Sequence, residues 1–371
     1  MSGSELPKLA RVAHAGHCNR CLSALPSSHI QIDASRLAIG FYCFGTLDLL
    51  GSIYEKTKEI EREGWREWLW HQQTSGIHGT GFKPSSYMTQ DRPYGTDPEE
   101  YSEYDTPHLI MTYTAILSLA ILRDDFEQLD RNGIVRFLQA CQREDGSFTS
   151  FPNGGESDLR QVYCAFAISS MLDDWSGVDV DRAVSFIQQC SSHEGGYGQQ
   201  PTGEALGGTT YCALASLYLA PSVSDLHAPN PHVTTDERRR TIRWLLQNQA
   251  SSGGFSGRTN KDADACYCFW CGASLHILGV GDLVDRTAFL SYLASCQFKF
   301  GGIGKAPEDR PDPYHTYLSL AALALFPLED ADPSWKLPRL NALWNTTEDT
   351  ADWIRQHVPL YTVKAQSPVR K

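Results

Sequence analysis

Glu194-Gly195-Gly196-Tyr197, followed across a polar loop by Thr210-Tyr211-Cys212 and an apolar run to Leu219, is one copy of a unit that recurs down the chain. Each copy opens on a glycine turn. The others are Asp145-Gly146-Ser147-Phe148, Ser252-Gly253-Gly254-Phe255 and Phe300-Gly301-Gly302-Ile303. Each turn leads to a helix entered through a tyrosine, read as Tyr163, Tyr211, Tyr267 and Tyr317. Gly79-Thr80-Gly81-Phe82 leading to Tyr113 reads as an earlier copy, its loop swollen by an acidic insert over 90–105. Self-similarity at this period signals stacked helical units that share one core.

Every copy carries two helical patterns. One follows the tyrosine, over 162–172, 210–219, 266–278 and 316–325; the other precedes the next glycine turn, over 182–189, 239–249 and 286–296. Apolar residues recur there at helical spacing, and strand-like alternation is scarce. The glycine pairs suit turns that need positive φ. The expected fold is all-α, an α/α barrel of repeated helical hairpins. The aromatic, small-residue helix after each tyrosine forms the inner layer around a central pocket. The expected boundaries are 1–30 for an N-terminal helical or extended segment, 31–362 for the barrel and 363–371 for a tail. Residues 221–235 read as an insertion loop.

At 371 residues, with 41% apolar and 20% charged side chains, the chain is long enough for a large core. A net charge of −12, from 32 basic and 44 acidic residues, argues against nucleic-acid binding and favours partners with basic tails. The first thirty residues lack a signal-peptide pattern, and no apolar run is long enough for a transmembrane segment. The eleven cysteines are scattered and odd in number, several in apolar helical runs (Cys43, Cys164, Cys212, Cys268, Cys271). These features predict a cytoplasmic protein with reduced thiols.

The run Gly257-Arg258-Thr259-Asn260-Lys261-Asp262-Ala263-Asp264-Ala265-Cys266-Tyr267 sets two cations ahead of a carboxylate and a thiol, and Tyr314-His315 follows one unit later. Asp264, Cys266 and His315 make a three-ligand zinc set with one position open, provided adjacent inner helices bring them together. The bland reading makes Asp264 a helix cap and Cys266 buried filler. Arg258, Lys261 and Lys305 either grip an anion or are solvated loop charges. Arg160 either pairs with Asp158 or faces the pocket. Phe41, Tyr42, Tyr163, Phe269 and Trp270 are core side chains or the wall of an apolar ligand site. Cys18-Asn19-Arg20-Cys21, near His14 and His17, has no second pair and reads as structural.

From about Asp33 to Leu325 the chain resembles the β subunits of protein prenyltransferases, and most closely their type I geranylgeranyltransferase branch. The anchors are Ser35-Arg36-Leu37, His108 with Met111-Thr112-Tyr113-Thr114, and Asp145-Gly146-Ser147-Phe148. Others are Arg160 with Val162-Tyr163-Cys164, Gly207-Gly208, the run at 257–267 with Phe269-Trp270, and Tyr314-His315. The resemblance implies an α/α toroid paired with a prenyltransferase α subunit in an obligate heterodimer. It implies transfer of geranylgeranyl from geranylgeranyl diphosphate to the cysteine of CaaX motifs on Rho-like small GTPases. One Zn2+ would be held by Asp264, Cys266 and His315, with Mg2+ not required. Diphosphate would meet Arg258, Lys261, Tyr267 and Lys305. The isoprenoid would lie against Ala38, Arg160, Tyr163, Gly208, Cys212 and Trp270, and the peptide near His108, Tyr42 and Tyr314.

Within the family, a small Ala38 where farnesyltransferases carry Trp, and Lys305 where they carry Asp, favour the longer donor and a magnesium-free site. A Rab geranylgeranyltransferase β subunit matches the 258–266 loop less well. Asp262-Ala263-Asp264-Ala265 does not complete the acidic motif of a terpene cyclase. A non-catalytic zinc scaffold would call for a fourth protein ligand. One departure stands out: Leu206 precedes Gly207-Gly208 where the family has a diphosphate-contacting His.

Overall fold

The computed structural model describes residues 6–25, 34–86, 106–223, 230–327 and 332–359. The acidic insert at 90–105 and the tail at 363–371 lie outside the described residues, as does part of the 221–235 loop. In chain order the helices are α1 (Arg11–Ser23), α2 (Arg36–Leu49), α3 (Ser52–Lys56), α4 (Glu59–Trp70) and α5 (Leu109–Ile121). Next come α6 (Arg131–Cys141), α7 (Leu159–Leu172), α8 (Val180–Gln189), α9 (Gly207–Leu219) and α10 (Thr235–Gln247). The last four are α11 (Ala265–Ile277), α12 (Arg286–Ser295), α13 (Pro313–Leu325) and α14 (Glu348–His357). The only strands among the described residues are short antiparallel hairpins in the connecting loops.

Helices α2, α5, α7, α9, α11 and α13 pack side by side in that order, and α13 returns against α2. The repeats therefore close into a ring rather than an open solenoid. Inner helices are buried nearly all round; in α5 every residue but Ile110 is buried. Outer helices bury one stripe, as α8 does with Ala183, Val184, Phe186 and Ile187. The inner helices begin earlier than the tyrosine-entry pattern suggests, because their first turn lies in the polar loop and is held by a cap. His108, Asp158, Asp264 and Asp312 each accept a hydrogen bond from a first-turn amide of α5, α7, α11 and α13. Leu206, at the same place before α9, cannot.

Helix α1 fills an outer position. It packs on α2 and α13 and lies in the stretch expected as an N-terminal helical or extended segment over 1–30. The glycine turns explain how outer helices come so close. Gly146 (φ 88°) would place a Cβ 2.1 Å from the carbonyl oxygen of Arg182 on α8. Gly301 (φ 96°) would place one 1.9 Å from that of Ala13 on α1. Positive φ and direct backbone contact leave room for no side chain, which is why the turn recurs as glycine.

The recurring tyrosines have one shared task. Tyr113, Tyr163, Tyr211 and Tyr317 each lie five residues after the cap of their helix, at one level of the ring. Their hydroxyls donate to four consecutive carbonyls: Tyr211 to Ala342 (2.9 Å), Tyr163 to Leu343 (3.0 Å), Tyr113 to Trp344 (3.0 Å) and Tyr317 to Asn345 (2.6 Å). The hairpin of Leu340–Asn341 with Thr346–Thr347 thus enters the ring as a plug. Asp48, near the C-terminal end of α2, accepts from Thr347 (2.7 Å) and Thr350 (2.9 Å), so the plug closes the mouth formed by the inner helices' C-termini.

In α11 the residue at the tyrosine level is Phe269, not Tyr267. Phe269 packs on Tyr211 with ring centroids 5.2 Å apart. The expected match of Tyr267 to the tyrosine series is off by two residues. On a helix that is a turn of about 200°, so Tyr267 faces elsewhere.

Candidate functional site

The other end of the ring collects the N-termini of the inner helices, whose dipoles favour negative charge although their first amides are bonded to caps and neighbouring loops. Asp264 caps α11 with Oδ1 on the Cys266 amide at 2.9 Å, so the bland reading of this aspartate is true and incomplete. The cap fixes the carboxylate beside the first turn. Cys266 follows in that turn, and His315 occupies the first turn of the neighbouring α13. Asp264 Oδ1 lies 3.4 Å from His315 Nε2, and one ligand atom from each of Asp264, Cys266 and His315 falls within 4.8 Å of the others. Two ligands on a tetrahedral zinc stand about 3.3 Å apart at ordinary bond lengths, a spacing the Asp264–His315 pair already has, and the three residue types suit that ion.

Asp312, which the sequence reading missed, completes the arrangement. Its Oδ2 lies 2.6 Å from His315 Nδ1, and its Oδ1 accepts from the His315 amide at 2.9 Å. A carboxylate on Nδ1 fixes the tautomer that leaves Nε2 free for a metal. The signal was present in the repeat: Asp312 holds the same cap position in α13 that Asp264 holds in α11. Burial opposes charge on His315, but hydrogen bonds to Asp264, Asp312 and Cys266 prevail and push it up to about 11. Burial, then the neighbouring Asp264 charge, push the Cys266 thiol up to about 12 against the pull of His315. Burial would also raise Asp264, yet its bonds to His315 and Cys266 leave it below the usual carboxylate value. A metal bound here would therefore displace protons, as thiolate–imidazole sites do.

Of the cations expected near the metal, Lys305 touches the ligand set. Lys305 Nζ is 3.9 Å from Asp264 Oδ2 and otherwise exposed. Lys261 is exposed, while its carbonyl accepts from Ser256 Oγ at 2.7 Å. Arg258 is paired with Glu204, a contact the sequence reading did not foresee. Tyr267 is half-buried over Gly207 and Gly257, and burial pushes its hydroxyl up to about 12 although Arg258 opposes.

Among the residues expected to meet the isoprenoid, a Cβ on Gly208 would meet no heavy atom within 4 Å. Trp270 Nε1 donates to Tyr314 OH at 3.0 Å, and Tyr314 packs edge-on against Tyr42 with centroids 5.3 Å apart. Cys212 and Ala38 are buried on α9 and α2. Tyr163 is buried with its hydroxyl committed to the plug. Arg160 lies against Asp158, with Nη2–Oδ2 at 2.6 Å, and also pairs with Glu156, so the structural pairing is real. His108 accepts from the Ile110 amide at 3.2 Å; burial, then the Arg160 charge, bring it down to about 4, so the ring is neutral. Cys18 is buried and Cys21 sits 3.9 Å from His17; all eleven cysteines are free thiols. No described helix is long and apolar enough to cross a membrane.

Residues 9–347 match the family model of the prenyltransferase alpha-alpha toroid domain. The chain belongs to the prenyltransferase α/α-toroid family. It is 36% identical over 321 residues to the geranylgeranyl transferase type-1 subunit beta of Dictyostelium discoideum, covering 82% of this chain and 87% of that one. The Arabidopsis thaliana geranylgeranyl transferase type-1 subunit beta is 33% identical over 325 residues, 86% of each chain. Among solved structures, Candida albicans protein geranylgeranyltransferase-I complexed with GGPP superposes with a TM-score of 0.83 at 27% identity. That match covers 95% of this prenyltransferase chain and all of the other.

Proposed function

We propose that this prenyltransferase is the catalytic β subunit of a zinc-dependent protein geranylgeranyltransferase type I. It would work with a prenyltransferase α subunit on the CaaX cysteine of small GTPases in the cytoplasm. The observation that carries the reading is the convergence of Asp264, Cys266 and His315, with Lys305 against Asp264, at the helix N-termini of a closed ring.

Asp264, Cys266 and His315 would hold the metal, and Asp312 would keep the imidazole turned toward it. Zinc bound there would lower the pKa of a thiol in the fourth position. The acceptor cysteine loses its proton to solvent, and its sulfur forms a bond to C1 of geranylgeranyl diphosphate. The C1–oxygen bond breaks and the electron pair leaves with diphosphate. Arg258, Lys261, Tyr267 and Lys305 would meet the charge growing on those leaving oxygens. Lys305 supplies fixed positive charge beside Asp264, so Mg2+ is not required. Ala38, Arg160, Tyr163, Gly208, Cys212 and Trp270 are assigned to the isoprenoid wall; Tyr163 and Arg160 serve it through their ring and stem, since their polar ends are engaged. His108, Tyr42 and Tyr314 are assigned to the peptide side.

The test is co-expression with a prenyltransferase α subunit and transfer assays with both donors on peptides ending CaaL and CaaS or CaaM. Geranylgeranyl transfer to CaaL is expected to dominate. Preferential farnesyl transfer to CaaM would overturn the assignment to type I.

A further inference from the structure

We propose that Glu204 is a positioning residue for the donor diphosphate, holding Arg258 at the cavity mouth in the orientation in which its free N–H groups meet the leaving group. The inference rests on the donor site proposed above. Leu206 caps α9 without a polar side chain, so the glycine-led start of this helix offers no side-chain contact to an anion. Positive charge next to this helix start comes from across the loop, and Arg258 is the cation paired to the residue two before Leu206.

Three observations place Glu204 in control of that arginine. One guanidinium nitrogen of Arg258, Nη1, pairs with Glu204 Oε2, leaving the other edge unclaimed by this contact. The two loops are anchored rather than loose. Ala205 bridges Gly198, Ser256 bridges Ala263, and the Gly207 amide donates to the Gly257 carbonyl at 2.8 Å. Glu204 and Arg258 therefore project from fixed points one residue away from a loop-to-loop hydrogen bond or bridge. Finally, Gly257 lies directly against the Tyr267 ring, where an added Cβ would come 2.1 Å from its Cζ, so Arg258 leaves the chain beside the other expected diphosphate contact on this side. The Glu204 pair therefore fixes the guanidinium on a stem that starts next to Tyr267. A guanidinium on a long flexible stem otherwise loses rotamer freedom on binding, and a carboxylate that orders it beforehand lowers that cost.

Both side chains are partly exposed, 54% for Glu204 and 40% for Arg258, so the effect is modest. An exposed ion pair corresponds to roughly a two- to fivefold change in affinity. The experiment is a double-mutant cycle on the full chain co-expressed with its α partner, read as KM for geranylgeranyl diphosphate, kcat, and direct binding of a fluorescent donor analogue. Glu204→Ala should raise donor KM and Kd by roughly two- to fivefold with kcat nearly unchanged, and Glu204→Gln, which keeps an acceptor oxygen, should recover part of the loss. In an Arg258→Ala background, Glu204→Ala should have no further effect. Tighter donor binding in Glu204→Ala, or an equal loss in both backgrounds, overturns the positioning role. If Arg258→Ala itself leaves donor affinity untouched, the donor site falls and this inference with it. Circular dichroism of each variant separates these outcomes from misfolding.

Discussion

Tyr163→Phe removes one oxygen from the most crowded part of the ring. That hydroxyl donates to the Leu343 carbonyl at 3.0 Å and lies 3.0 Å from Tyr113 OH and 3.1 Å from Tyr211 OH. The flanking tyrosines keep their own acceptors, Trp344 and Ala342, so the variant orphans one partly buried carbonyl rather than the whole series. An orphaned buried acceptor costs about 1–3 kcal/mol. With an unfolding entropy of about 2.1 cal/mol/K per residue, a chain this long shifts its Tm by only about 1–4 °C for that loss. Local exchange is the sharper assay. Hydrogen–deuterium exchange should rise at 340–347 while the outer helices stay protected, because the plug is held by these carbonyl contacts. A substitution elsewhere that lowers Tm equally should not select the plug. Unchanged exchange at 340–347 in Tyr163→Phe, or loss spread evenly over the chain, would refute the tyrosine–plug account.

Three other outcomes follow from the same geometry. Asp312→Asn should weaken metal binding by about 10–100-fold in a chelator competition, since it removes the carboxylate that turns His315; an unchanged metal affinity would remove Asp312 from the site. Ala38→Trp should move the ratio of kcat/KM for the two donors toward farnesyl diphosphate, and an unmoved ratio would end the length-gate reading of this buried position. His14 is buried, accepts from the Gly302 amide at 2.9 Å, and contacts Gln297 at 3.0 Å, so it ties α1 to the last glycine turn. Burial holds its pKa below 6.5 despite Gln297. The folded state thus binds fewer protons, and this contribution to stability is present above about pH 6.5 and declines as pH falls below it. Exchange in 11–23 should rise between pH 7 and 5.5 in the wild type, and His14→Gln should flatten that dependence; an identical dependence in both proteins would assign it elsewhere.

Much of this was legible because repetition makes a sequence its own control. Glycine turns at Gly146, Gly195, Gly253 and Gly301 marked where backbones meet, and the period predicted paired helices. What spacing could not give was closure, since open and closed stacks share the same local pattern; the contact of α13 with α2 decides it. Tyr267 misled because an aromatic residue near the expected place outweighed helical register, which the cap at Asp264 sets and which puts Phe269 at the ring level. The purpose of the tyrosines was hidden for another reason: their acceptors are backbone carbonyls at 342–345, which carry no side-chain signature. The candidate ligand set was proposed from residue type, order and the family resemblance, whereas the contacts of Asp312 with His315 and of Glu204 with Arg258 become visible only with coordinates.

The central claim is that three ligands from adjacent inner helices hold a catalytic zinc. Metal analysis of the purified heterodimer, paired with geranylgeranyl transfer to a CaaL peptide, tests it most directly. About one zinc per heterodimer is expected, with metal and transfer both lost in Cys266→Ala while donor binding persists. A Cys266→Ala heterodimer that retains full zinc and full transfer would contradict it.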